Sequence, residues 1–195
     1  MVMARIIFQF CFITAFGLSA AAQTLPKFSV REAQLTTIDT DDREKMLKAM
    51  KIFEQVINDP DFQKELLTQK FLFDLPNDPM RHLTTKQIVD TLYSGKEWYD
   101  PVVDNTADIY WICNKRKHKP PFSTAIGYGL PTDSTIHTYI YFVRNASLSE
   151  IANNLAHEWS HKVGFDHEFK DHKDRDQTVP YLFGDLVEKY AKRYE

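Results

Sequence analysis

No feature constrains this chain more than the stretch His157 Glu158 Trp159 Ser160 His161 Lys162 Val163 Gly164 Phe165 Asp166 His167. A helical turn takes about 3.6 residues, so His157 and His161 lie one above the other and both imidazoles can reach one metal ion. Glu158 follows the first histidine. A carboxylate there can stand beside the metal without ligating it, and can hold and deprotonate a bound water. Gly164 is expected to end the helix, because a residue without Cβ adopts the left-handed conformation cheaply, and His167 can then return to the same ion. Three neutral imidazoles leave a coordination position open, which suits a catalytic zinc.

The third ligand has a competitor. His172 lies in the same polar stretch, Asp166 to Asp176, whose charges read most simply as a solvated loop, with a second, oxygen-bound cation as the other reading.

The spacing His Glu x x His x x Gly x x His, carried here by His157, Glu158, His161, Gly164 and His167, resembles the extended motif of the metzincin metallopeptidases. The resemblance implies a zincin-like α+β fold, in which N-terminal helices and a small mixed sheet pack on an active-site helix and a short C-terminal subdomain follows. It also implies a bound Zn2+ held by His157, His161 and His167, Glu158 as the catalytic base, and an edge strand that pairs with extended peptide substrate. The upper part would span about 41–164 and the lower about 165–195. One departure from the pattern is plain: the methionines are Met1, Met3, Met46, Met50 and Met80, so no methionine turn follows the third histidine. Its expected replacement is a turn at Thr178 Val179 Pro180 Tyr181. By analogy with tyrosines after the turn in some metzincins, Tyr181 would bind the oxyanion or approach the zinc; packing in the core or the turn is the other reading.

Met1 to Ala22 reads as a secretory signal. Arg5 supplies the positive end, Ile6 to Leu18 the apolar run, and Ser19 to Ala22 the small residues before cleavage at Gln23. The run is shorter than the roughly 20 residues a spanning helix needs. Localisation is therefore expected to be periplasmic or extracellular, with residues 23–195 as one catalytic domain and a monomer. Loss of Arg5 moves the formal net charge from −3 to −4. Such mild acidity argues against nucleic acid or an anionic membrane as partner, and the resemblance implies a peptide or protein substrate. The basic run Lys115 to Lys119 precedes Pro120 and Pro121 and reads as a solvated loop.

Cys11 falls in the signal, so Cys113 is left alone and no internal disulfide is expected. A buried, inert thiol at a strand end is the expectation for Cys113.

Residues 23–40 lack periodicity and are expected to wrap the surface as an extended lead-in. Asp39, Asp41 and Asp42 then read either as a helix N-cap or as a latency segment reaching the metal. Met46, Ala49, Met50, Phe53, Val56 and Ile57 recur at helical spacing until Asp59 Pro60. A short helix with Phe62, Leu66 and Leu67 inward follows, then one capped by Thr84 and Gln87 and ended by Gly95. Strands are expected at Asp108 to Cys113, Ser123 to Tyr128 and Ile136 to Val143. The active helix is expected to start at Ser147, in a capping box with Glu150, and to bury Ile151, Leu155, Trp159 and Val163. A last helix is expected over Gly184 to Tyr194.

Two other classes compete with a peptidase. One is a zinc-binding module without catalysis, used for adhesion or inhibition, and Glu158 argues against it. The other is a closed structural zinc site, which three histidines without a fourth ligand do not make.

Overall fold

The computed structural model describes residues 25–71, 83–115, 126–129, 133–167 and 175–195. The proposed signal, His172 and most of the basic run at 115–119 lie outside them. Among the described residues no helix is long and apolar enough to cross a membrane.

The architecture is α+β. Strand β1 (Ser29–Thr36) leads into α1 (Thr40–Ile57), α2 (Pro60–Leu66) and α3 (Thr85–Ser94), then β2 (Thr106–Asn114), β3 (Gly127–Gly129) and β4 (Ile136–Tyr139). Helices α4 (Ile140–Asn145), α5 (Leu148–Lys162) and α6 (Val179–Ala191) complete the chain. The sheet order is β1-β2-β4-β3, with β1, β2 and β4 parallel and β3 an antiparallel edge.

The cap chemistry is as the sequence foretells. Asp39 accepts the Asp42 amide at the start of α1, while Thr84 with Gln87 and Ser147 with Glu150 form capping boxes on α3 and α5. Each satisfies amides that have no partner within the helix. Gly95 ends α3 in the left-handed conformation, at φ 65°, against the Thr106 backbone. Asp39 and Asp42 both pair with Arg144 of α4, so these two acids serve as a cap and a tie between helices.

Three expectations are corrected. The lead-in contains β1, an eight-residue strand pairing in parallel with β2; most of its residues are exposed, so it shows no apolar alternation. The strand expected over Ile136 to Val143 stops at Tyr139, and Ile140–Asn145 is helix. Its neighbour β2 runs out there, with Asn114 paired to Tyr139, and a strand without a partner has no ladder to extend. The last helix begins at Val179, five residues before the expected start, with Pro180 in its first turn. Proline lacks an N–H, but first-turn amides have no partner inside the helix, so it is tolerated there. Of the strand expected at 123–128, residues 123–125 lie outside the described set and β3 occupies 127–129.

Helix α5 runs beneath the sheet and packs most extensively on α6 and then α1. Trp159 of α5 is fully buried at the centre, with its ring 5.4 Å from Phe28, 6.0 Å from Phe53 and 6.3 Å from Phe183. Full burial of such a side chain contributes several kcal/mol, about 3–5 by truncation. A buried polar chain fixes α5 to the sheet: Trp111 Nε1 donates to Thr138 Oγ1 at 2.8 Å, and Thr138 Oγ1 donates to Asn154 Oδ1 at 3.1 Å. Cys113 is buried near the end of β2, and burial pushes its thiol up to about 12, the inert state expected.

Candidate metal centre

His157 and His161 sit one turn apart on α5, with ring centroids 5.2 Å apart. The helix closes at Val163, and Gly164 follows at φ 103°. Nothing lies within 4 Å of a Cβ placed at Gly164, so glycine is required there for its backbone angle and not for space. The reversal sends the Phe165 amide back to the Ser160 carbonyl at 3.2 Å and buries the Phe165 ring. His167 then swings round to bring its ring within 5.2 Å of His157 and 5.0 Å of His161.

The three donor atoms lie within 4.8 Å of one another. Among the described residues this is the one such group of three or more His, Cys, Asp or Glu side chains. His157 Nε2 and His167 Nε2 are 3.2 Å apart. Two nitrogens bound to one tetrahedral zinc at 2.0–2.1 Å would stand about 3.3–3.4 Å apart, so the donor set fits such an ion. His161 Nδ1 donates to the Phe165 carbonyl at 2.8 Å, an assignment that leaves Nε2 with its lone pair for the site. The same glycine turn that returns His167 thus also sets the tautomer of His161.

Electrostatics keep these rings ready to ligate. Burial holds the pKa of His157 well below its ordinary value, and the charges of His161, His167 and Arg175 add to the effect. Burial likewise lowers His161 to about 4. Both are neutral near pH 7, the form that binds a metal.

Glu158 is 8% exposed, and burial raises its carboxyl to about 7. The Lys162 ammonium, one turn on, opposes that rise, and no hydrogen bond from the described residues contributes. A buried carboxylate without a protein donor is available to a water or a substrate. Lys162 is itself 2% exposed and donates to the carbonyls of Asp133 at 2.7 Å and Thr135 at 3.2 Å. It therefore ties α5 to the segment entering β4. The sequence reading passed over Lys162, although its i, i+4 relation to Glu158 was visible.

Tyr181 stands in the first turn of α6 instead of in a separate turn. Its ring lies 4.6 Å from that of His157 at an interplanar angle of 82°, and 4.9 Å from that of His167. On Tyr181 rests the guanidinium of Arg175, 4.4 Å from the ring centroid. All five candidate residues, His157, Glu158, His161, His167 and Tyr181, thus belong to one neighbourhood, built from α5, the turn after it and the start of α6. Arg175 joins them without any sequence signal beyond its place in a polar stretch. Comparison with family models, curated proteins and solved structures returned no match for this chain.

Proposed function

We propose that this chain is an exported zinc metallopeptidase with a zincin-like fold, hydrolysing peptide bonds in peptide or protein substrates. The observation that carries the reading is the convergence of three imidazoles, two from α5 and one returned by a glycine turn, next to a buried carboxylate that accepts no hydrogen bond from the described residues. His157, His161 and His167 would hold the ion, leaving its fourth position open. When bound, zinc lowers the pKa of a coordinated water towards 7 and polarises the scissile carbonyl.

Glu158 takes the proton of the attacking water and returns it to the leaving amine. Burial pushes this carboxyl up in the metal-free protein, the direction that lets it return a proton as well as take one near neutral pH. Tyr181 orients His157 and His167 by packing on both, and its phenol is the candidate donor to the developing oxyanion. The antiparallel edge strand β3, beside α5, offers main-chain groups to an extended substrate.

The test pairs metal content with cleavage of casein and quenched peptides, on protein beginning at Gln23 and on its Glu158→Ala variant. One equivalent of zinc in both, with chelator-sensitive cleavage by the unaltered protein alone, is the expected result. Zinc in both with no cleavage of a broad peptide library would leave a binding module. No zinc after reconstitution would refute the reading.

A further inference from the structure

Arg175 is a charged group beside the histidine cluster that the proposed mechanism does not use. Its guanidinium carbon lies 4.4 Å from the centroid of the Tyr181 ring, which also packs on the rings of His157 and His167. Its Nε is buried and has no hydrogen-bond partner among the described residues. The described residues also provide no carboxylate to pair with the guanidinium. An arginine that serves only to stiffen a fold is normally paired, since a buried donor left unmade costs about 1–3 kcal/mol. The arginines at positions 31, 43, 144 and 193 each have an acidic partner.

We infer that Arg175 is a substrate-binding residue that receives a carboxylate next to the scissile bond. The inference rests on the peptidase reading, and it names the substrate class: peptides presenting an acidic side chain or a free C-terminus at that position. Three features support a carboxylate. The planar fork of donors matches it in a two-bonded geometry. Contact with the face of Tyr181 limits where the guanidinium can go, so less freedom is lost on binding. Tyr181 in turn touches two of the three metal-binding imidazoles, placing the received group within a residue or so of the reacting carbonyl.

The test is a binding measurement on zinc-loaded Glu158→Gln protein, so that nothing is turned over. Three short peptide hydroxamates serve as probes: one with Asp beside the hydroxamate and an amidated end, its Asn counterpart, and that Asn peptide with a free C-terminal carboxylate. At least tenfold tighter binding of the Asp or free-acid probe than of the neutral one is expected, and the stronger of the two identifies the source of the carboxylate. Arg175→Gln should bring the three probes to equal affinity while leaving the neutral one within about threefold. A stacking role alone would weaken all three alike, and that result would overturn the inference. So would an unchanged preference for the acidic probes in Arg175→Gln. Failure of the parent reading shows separately, as absence of bound zinc, and takes the inference with it.

Discussion

Gly184 of α6 lies against His157 of α5 so closely that a Cβ built on it would stand 3.3 Å from the His157 Cβ and 2.4 Å from Asn153 Oδ1. Asn153 is not free to retreat, because its Nδ2 is bonded to Glu188 at 2.9 Å and Asp185 at 3.3 Å. The glycine therefore sets the approach of the helix that carries Tyr181 to the helix that carries His157 and His161. Gly184→Ala relieves about 1 kcal/mol of helix cost but adds a contact of the kind that costs about 1–3 kcal/mol. We expect a net loss of about 0–2 kcal/mol in urea unfolding of the metal-free protein, and a larger loss for Gly184→Val. A gain for the alanine variant would show that Asn153 yields.

Metal binding should be visible as stability. Zinc held by the folded form alone adds about 2.7 kcal/mol when its free concentration is a hundredfold its Kd. For a chain of this size that is about 5–11 °C in Tm. Thermal melts with zinc and with chelator should differ by this amount, and His161→Ala should abolish the difference. An equal rise in the variant would mean that zinc binds elsewhere.

The clustering of His157, His161 and His167 was legible in the sequence because helix periodicity and one glycine decide it within eleven residues. The capping boxes at Thr84 and Ser147 were legible for the same reason, each being settled by a neighbour three positions away. What escaped depends on residues distant in the chain. Strand β1 exists because β2 lies beside it, and β4 ends at Tyr139 because β2 ends at Asn114. Pro180 reads equally well as a turn or a first helical turn until α6 is seen packed on α5. Arg175 and Glu97 carry no local pattern at all, since their meaning comes from Tyr181 in one case and from Trp159 in the other.

Lys162 should matter for the segment entering β4 more than for the helix that bears it. Its ammonium bonds two carbonyls, those of Asp133 and Thr135, yet burial lowers its own pKa, so the charge is held at a cost. Lys162→Met is expected to lose about 1–3 kcal/mol and to speed hydrogen exchange in residues 133–139. Unchanged exchange there, or a gain in stability, would mean that desolvating the ammonium outweighs its bonds.

Glu97 makes stability depend on pH. It is 2% exposed, and its Oε1 accepts both the Trp159 indole N–H at 3.0 Å and the Asp108 amide at 2.9 Å. Burial nonetheless raises its carboxyl from 4.5 to about 6, the two hydrogen bonds offsetting only part of the cost and the charge of Asp108 adding to it. Between these values the folded state holds a proton that the unfolded state has lost. Stability from this group is thus full below about pH 4.5 and falls as pH rises through about 6, by about 2 kcal/mol in all. Glu97→Gln keeps an oxygen for Trp159 and Asp108 but carries no titrating group. The variant should therefore gain on the unaltered protein by about 2 kcal/mol between pH 4.5 and 7, read from urea unfolding at each pH. A difference between the two that stays constant across this window would show that Glu97 does not titrate there.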